Sequence, residues 1–449
     1  MKTNKEFIRE MSRLSLPLGM QQMVSCVVSL IDNVMVGTIG EAAMSAVSIC
    51  VAYTWLSTSI AYSFCRGALI IGAQDYGRGD RSRIRKLLTI CLYISLLTTG
   101  VFFLFATFAP RTVIAFYSNY QNIIDAGEEY LNIMKYSILF YIISETILIN
   151  LQTVKTVKIG FKISLVSCFS NLILNFLLIN GNLGMPALGL KGAAIATTIS
   201  RFLEMVLAIY YLFFVDQKLS FTLKDLKVKE SKTLTKQLIS VTLPLLVGDL
   251  LDNLLSTVQT MITGRISENY ISANSIVHTC WELPAVFCRG SSIGAAIIIG
   301  NSLGARNYDE AKNDSKRIVY TALLLGLGCS IAVQVIMFIV TPFYAVSNET
   351  ILLARQMSYA CSVNVVFISL EMIVINGIIN AAGKTKKILY LNLITNWGLA
   401  IPLGYIAAFI LHIHPAFIYL ILRIGCYIRA TWGLIQLKKG NWMNTLSYE

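Results

Sequence analysis

Long apolar stretches recur about every 30–45 residues along this chain, and they restrict what it can fold into. Each stretch reaches the roughly 20 residues that an α-helix needs to cross the hydrocarbon core of a bilayer. Because an unpaired backbone group in lipid costs several kcal/mol, these stretches predict an all-α polytopic membrane protein. We place twelve transmembrane helices at 14–36, 45–74, 87–108, 128–153, 161–180, 190–215, 238–263, 272–300, 318–341, 352–380, 386–411 and 415–437.

The charge content supports the same interpretation. Only 14% of the residues are charged, and 55% are hydrophobic. A soluble domain carries about a quarter charged residues. The net charge of +13 lies in short loops between the apolar stretches and not on one face. We therefore expect the lipid bilayer, and no nucleic acid, as the partner of this surface.

The distribution of Lys and Arg predicts the orientation in the membrane. With a cytoplasmic N-terminus, 27 Lys and Arg lie in the terminal arms and the alternate loops on that side, and four lie in the opposite loops. Cytoplasmic loops are enriched in these residues. We expect an inner or plasma membrane protein with both termini in the cytoplasm and a long cytoplasmic linker, 216–237, that contains six Lys.

An internal repeat divides the chain into two halves. At an offset of 227 residues the halves align, with Pro17 on Pro244, Gly37 on Gly264, Gly67 on Gly294 and Gly77 on Gly304. Six spans is an even number, so the halves have parallel orientation and a pseudo-twofold axis along the membrane normal. We predict an N-terminal six-helix lobe at 1–215, the linker at 216–237 and a C-terminal six-helix lobe at 238–449. Transporters that work by alternating access are built from such paired halves.

Three motifs resemble those of the multidrug and toxic compound extrusion (MATE) family. They are Pro17…Asp32-x4-Gly37-x2-Gly40-Glu41-Ala42-Ala43, then Gly72-x4-Gly77-Arg78-Gly79-Asp80, and Asn171-x3-Asn175…Gly189-x2-Gly192-Ala193-Ala194. The similarity extends over essentially the whole chain. It implies twelve helices in two lobes and a secondary active antiporter that exports small organic compounds, cationic or amphipathic, in exchange for H⁺ or Na⁺. No cofactor or resident metal is implied, and we expect a monomer.

Asp32 is the strongest candidate for a coupling residue. An ionisable group at membrane depth is costly and indicates function. Asp32 has no base within one turn, and the equivalent position in the second half is the neutral Gln259. By resemblance, Asp32, Asn171, Asn175 and Thr197 bind the coupling cation. Carboxylate, amide and hydroxyl oxygens suit Na⁺, and a carboxylate in an apolar cavity suits H⁺. Relatives often have Asp where this chain has Asn175, so the ion stays open.

Four further acids are candidates for substrate binding or for coupling in the C-terminal lobe. Glu145 and Glu371 align on the fourth and tenth spans, where two carboxylates facing a cleft would attract an organic cation. A base in the same lobe, such as Lys135, could instead pair with either acid. Asp252 and Glu282, on the seventh and eighth spans, could act together.

Other functions stay open at this point. A flippase of a lipid-linked saccharide, or an exporter of one specific metabolite, would use a similar fold. A flippase usually needs a more cationic cavity for pyrophosphate, whereas here seven membrane-depth acids face six bases. An intramembrane enzyme has no support from a His/Asp, Ser/Lys or paired metal-ligand motif, so we predict that the chain is not an enzyme.

Overall fold

The computed structural model of the chain describes residues 2–227, 232–344 and 346–443. These residues contain helices and no β-strand. The fold is therefore all-α, as the sequence predicts. Residues 228–231 of the predicted linker lie outside the described ranges.

Six long helices form the first half. They are α1 (Asn4–Gly37), α2 (Glu41–Arg78), α3 (Arg81–Phe108), α4 (Gln121–Thr153), α5 (Lys158–Leu178) and α6 (Leu190–Val215). Each overlaps one predicted span and is long and apolar enough to cross a membrane.

The second half has five helices of the same kind and one that is broken. The five are α7 (Lys232–Gly264), α8 (Glu268–Gly304), α9 (Tyr308–Phe343), α10 (Asn348–Ile379) and α11 (Thr385–Phe409). The last span, α12, consists of Pro415–Ile421 and Ile424–Lys439, which bend by 40° at the break between them. Counting this pair as one span, the described residues contain the twelve spans predicted from the sequence.

Two helices are longer than a membrane is thick. The helix α2 has 38 residues and α8 has 37. At 1.5 Å per residue each is about 55 Å long, against about 30 Å for the hydrocarbon core. The predicted spans 45–74 and 272–300 each lie within one longer helix, which must either tilt in the membrane or extend beyond the hydrocarbon.

The contacts between residues divide the chain into two compact units. The N-terminal unit consists of Gln21–Gly72 and Asp80–Ile239. The C-terminal unit consists of Ser240–Glu449 together with two segments of the first half, Met1–Met20 and Ala73–Gly79. The lobe boundaries at 215 and 238 were predicted from the sequence repeat, and they stay a prediction.

Each unit has its own apolar core. In the N-terminal unit, α4 packs against α3 and α6, around buried residues such as Tyr130, Leu131 and Ile138. In the C-terminal unit, α8, α9 and α10 pack around Tyr270, Val333 and other buried residues. Because burying a polar group without a hydrogen bond is costly, polar side chains beside these apolar cores need partners in the backbone or in other side chains.

Two helices of the C-terminal unit contain π-helical turns. Residues Glu371–Ile379 of α10 and Leu393–Ala400 of α11 have this wider winding. A π-helical turn changes the direction of the side chains that follow it, and such turns occur frequently at functional sites. Both stretches carry polar residues described below.

The N-terminal arm is held by ion pairs within the C-terminal unit. The Lys2 Nζ lies 2.9 Å from Glu10 Oε2 and 3.0 Å from Glu310 Oε1. The Lys2 carbonyl also accepts a hydrogen bond from Arg317 at 2.9 Å. Burial alone would lower the pKa of Lys2, but the hydrogen bonds to Glu10 and Glu310 outweigh it and raise the pKa above its ordinary value.

Candidate ion and substrate sites

The helix α5 presents two amides on one face in the N-terminal unit. Asn171 and Asn175 are four residues apart, which places both side chains on the same side of the helix. Asn171 is 5% exposed and Asn175 is 2% exposed. Burying an amide without hydrogen bonds is costly, so both side chains are expected to have polar partners.

Asp32 of α1 is that partner. The Asn175 Nδ2 donates to Asp32 Oδ1 at 2.6 Å. The Asn171 amide makes hydrogen bonds to the carboxylate when its nitrogen faces Asp32. In this orientation Nδ2 donates to Asp32 Oδ1 at 2.8 Å and to Asp32 Oδ2 at 3.2 Å. The Thr197 Oγ1 of α6 lies 3.4 Å from the other terminal atom of the same amide. The structure thus brings together all four residues of the predicted ion site, and their role in coupling stays a prediction.

A cavity of about 360 Å³ lies within the N-terminal unit and contains this group. Its lining also includes a second charged group, formed by Glu145 on α4 with Arg201 and Glu204 on α6. The Arg201 Nη1 donates to Glu204 Oε2 at 2.7 Å, and Ser167 Oγ lies 3.2 Å from the same oxygen.

The charged groups nearest to Glu145 do not include Lys135, the base that the sequence offered as a partner. The charged neighbours of Glu145 are Arg201 and Glu204. The alternative partner, Lys135, lies 3.4 Å from Asn132 Oδ1 and over the ring of Tyr136. Glu145 therefore lines the cavity beside one guanidinium and a second carboxylate.

In the C-terminal unit, Glu371 has a strong partner. The Arg429 Nε of α12 lies 2.5 Å from Glu371 Oε1. The Arg429 Nη1 also donates to Thr395 Oγ1 at 2.9 Å and to Asn396 Oδ1 at 2.8 Å. The sequence predicted that the negative charge of Glu371 would attract an organic cation in a cleft. In the structure the guanidinium of Arg429 neutralises this charge.

The network continues to Asp252. The Asn396 Nδ2 donates to Asn392 Oδ1 at 2.6 Å, and Asn392 Nδ2 donates to Asp252 Oδ1 at 2.8 Å. A chain of hydrogen bonds therefore joins Asp252 on α7 to Glu371 on α10, through α11 and α12. We call these residues, with Thr395, the C-terminal network. Glu282 takes part in a different contact, since its Oε2 accepts from Arg289 Nη2 at 2.8 Å.

The prediction from the sequence did not name four members of this network as site residues, Asn392, Thr395, Asn396 and Arg429, although a signal was present for three of them. The segment Asn392-Leu393-Ile394-Thr395-Asn396 repeats the pattern of Asn171-Leu172-Ile173-Leu174-Asn175. Both asparagines recur at an offset of 221, six less than the offset of the first helices. Arg429 likewise follows Arg201 by 228 positions. A repeat search that allowed the offset to drift would have found Asn392, Asn396 and Arg429.

In the part of the chain that the structure describes, twelve apolar helices, with the broken pair counted as one, carry carboxylates, amides and guanidinium groups, and this combination is typical of polytopic membrane transporters. Among the described residues, no group of three or more His, Cys, Asp or Glu could hold a metal ion. The MatE family model matches residues 17–177 and 244–406, which is more than half of the chain, so the chain belongs to the MatE family. Members of this family are transporters and not enzymes.

Individual relatives agree with this assignment. The chain is similar to the probable multidrug resistance protein NorM of Mannheimia succiniciproducens, at 26% identity over 88% of this chain and 84% of the relative. It is also similar to the probable multidrug resistance protein YoeA of Bacillus subtilis, at 23% identity over 89% and 86%. Among solved structures, the bent form of the Vibrio cholerae MATE transporter VcmN matches with a TM-score of 0.87 at 14% identity, covering 98% of this chain and 99% of that one. This last likeness shows the shared fold.

Proposed function

We propose that this chain is a secondary active antiporter that exports small organic compounds, cationic or amphipathic, in exchange for H⁺ or Na⁺ by alternating access. The observation that carries the proposal is the position of Asp32. Its carboxylate, held by Asn171 and Asn175, lines the same cavity as the charged group of Arg201 and Glu204. An ion and an organic molecule would therefore bind within one cavity, where each can affect the other.

The oxygen atoms around Asp32 support a coupling ion. Among the described residues, the buried Asn175 Oδ1 has no hydrogen-bond donor. An unsatisfied buried acceptor is costly. Asp32 and Thr197 line the same cavity, and carboxylate, amide and hydroxyl oxygens are the ligands that hard cations prefer.

The cavity supports a small organic substrate. A volume of about 360 Å³ lies in the range of small-molecule pockets. The lining includes three carboxylates, on Asp32, Glu145 and Glu204, and one guanidinium, on Arg201. This balance favours a cationic substrate. It disfavours the flippase alternative, because a pyrophosphate group needs an excess of bases. The names of the relatives, which are multidrug resistance proteins, support export of several compounds rather than one metabolite.

The remaining features of the proposal concern the setting of the protein. We place the chain in the inner or plasma membrane, as a monomer, with both termini in the cytoplasm. The 27 Lys and Arg on the proposed cytoplasmic side support this orientation.

Transport by everted membrane vesicles tests the proposal. Uptake of a cationic dye is followed while an inward-directed or outward-directed gradient of H⁺ or of Na⁺ is imposed separately. We expect one of the two gradients to drive transport by the wild type, and Asp32→Asn to abolish it. Asn keeps the shape and a polar contact but removes the charge that binds the ion.

The matched control is Asp309→Asn, which changes the same functional group on an exposed residue of α9. This variant should transport like the wild type. Gradient-driven export by Asp32→Asn at the wild-type rate would exclude Asp32 as the coupling residue. Absence of gradient-driven dye transport by the wild type, in vesicles that contain the protein, would count against the proposed antiport itself.

A further inference from the structure

The two halves of the chain contain the same polar framework. Each has an asparagine pair spaced by four residues on its fifth span, Asn171 with Asn175 and Asn392 with Asn396. Each amide pair contacts an aspartate of the first span of its own half, Asp32 in one and Asp252 in the other.

The two aspartates are not at the same repeat position. Asp252 lies seven residues before Gln259, the position equivalent to Asp32. Seven residues are close to two helical turns, so the face of the helix is kept. The candidate ion site therefore has a structural counterpart in the C-terminal unit.

The equivalent arginines behave differently. In the N-terminal unit, Arg201 pairs with Glu204 and lies over the ring of Tyr141, at 4.5 Å from its centroid. In the C-terminal unit, Arg429 inserts into the network and donates to the oxygens of Thr395 and Asn396 as well as to Glu371. In the N-terminal unit the arginine therefore does not bind the asparagine pair. In the C-terminal unit the guanidinium of Arg429 donates a hydrogen bond to Asn396.

The two arginines differ in the residue that lies one helical turn after each of them. Glu204 lies one helical turn after Arg201 and accepts its hydrogen bond. The residue one turn after Arg429 is Trp432, which has no carboxylate. Because a buried guanidinium needs an anionic partner, Arg429 turns to Glu371 and to the amide oxygens beside it.

We propose that the C-terminal network is a second monovalent-cation site that the guanidinium of Arg429 keeps permanently filled. The cation in this site is the side chain of Arg429, which is covalently part of the protein and cannot be exchanged for a free ion. The consequence for transport rests on the proposed function: ion exchange is then confined to the N-terminal unit. The binding property itself does not depend on transport.

The donor atoms define the ligand. Without the guanidinium, Glu371 Oε1, Thr395 Oγ1 and Asn396 Oδ1 become three oxygen acceptors directed at one volume. Asn396 and Thr395 are buried, at 4% and 1% exposure, so bulk water cannot easily satisfy them. One carboxylate and two neutral oxygens fit a monovalent, oxygen-binding cation such as Na⁺. Free guanidinium would restore the original donors.

The experiment removes the tethered cation and supplies a free one. Arg429→Met is made in an Asp32→Asn background, so that the N-terminal site does not contribute. The thermal midpoint of the purified full-length protein is measured in NaCl and in choline chloride at equal ionic strength, and with about 10 mM guanidinium. We expect both Na⁺ and guanidinium, and not choline, to raise the midpoint saturably, by about 2–5 °C when the cation is well above its Kd. Adding Glu371→Gln should remove the response.

A second variant covers the case in which Arg429→Met does not fold. Trp432→Glu in the same background gives Arg429 a carboxylate one turn away, as Arg201 has, and leaves the arginine in place. We expect a smaller saturable response to Na⁺. The Asp32→Asn background alone should show none.

The proposal is overturned if the folded variants give the same midpoint in NaCl and in choline chloride. It is also overturned if the Asp32→Asn background responds as strongly as the variants, because the intact guanidinium should then have blocked the site. Since the readout is equilibrium binding in a background that is expected not to transport, failure of the proposed antiport would leave this result unaffected.

Discussion

Removing the charge of Glu371 should destabilise the C-terminal unit far more than removing the charge of Glu282. Both glutamates accept one hydrogen bond from an arginine of the same unit, at 2.5 Å from Arg429 and at 2.8 Å from Arg289. Their exposure differs. The side chains of Glu371 and Arg429 are 18% and 10% exposed, whereas those of Glu282 and Arg289 are 34% and 38% exposed.

The magnitudes follow from this difference. Removing one partner of a buried ion pair costs about 3–5 kcal/mol, because the other charge is left without compensation. In Glu371→Gln, Arg429 keeps its hydrogen bonds to Thr395 and Asn396, so we expect about 2–3 kcal/mol. The Glu282–Arg289 pair is only partly buried, and solvent-exposed pairs contribute about 0–1 kcal/mol, so we expect Glu282→Gln to cost no more than about 1 kcal/mol.

Thermal unfolding of the two purified variants measures the difference. At about 2–4 °C per kcal/mol for a unit of this size, Glu371→Gln should lower Tm by about 4–12 °C and Glu282→Gln by less than about 4 °C. The double variant Glu371→Gln/Arg429→Gln should regain part of the loss, because no unpaired charge is then buried. Equal losses for the two single variants would refute the reasoning, since burial would then not decide the strength of these pairs.

Three further predictions concern the substrate, the N-terminal arm and the topology. Glu145→Gln should weaken export of cationic compounds about fivefold relative to neutral compounds of similar shape, because a loss of only about 1 kcal/mol of carboxylate–cation attraction has this effect. Equal effects on both kinds of compound in vesicle transport would instead indicate a structural role or a role in coupling. Lys2→Ala should cost about 1 kcal/mol by removing the ion pairs to Glu10 and Glu310, and the loss should be constant between pH 6 and 9. The pKa of Lys2 is raised by folding, so its contribution is complete below the unfolded value of about 10.4 and fades only at higher pH; Lys5→Ala, on an exposed residue, is the control in thermal unfolding. A cysteine at position 224 should react with a membrane-impermeant reagent only from the cytoplasmic side, and labelling from outside would reverse the proposed orientation.

Much of the architecture could be predicted from the amino-acid sequence, because its cause is local. A bilayer forces each crossing segment to be a long apolar helix, so hydropathy alone located twelve spans. The repeat was visible because Pro17 and Pro244 with Gly37 and Gly264 recur at one offset. The residues around Asp32 were found through their family motif, and the structure places them within hydrogen-bond distance.

The partners of the membrane-depth charges were decided only by the tertiary structure. Six bases were available to seven acids, and their spacing along the chain does not select a pair unless both residues lie on one helix, as Arg201 and Glu204 do. Glu371 and Arg429 are 58 residues apart, and the π-helical winding that begins at Glu371 changes which way the side chains of α10 point. A regular helical period does not anticipate such a turn. Which carboxylate is left for an ion, and which is already neutralised, therefore depends on packing between helices that are distant in the sequence.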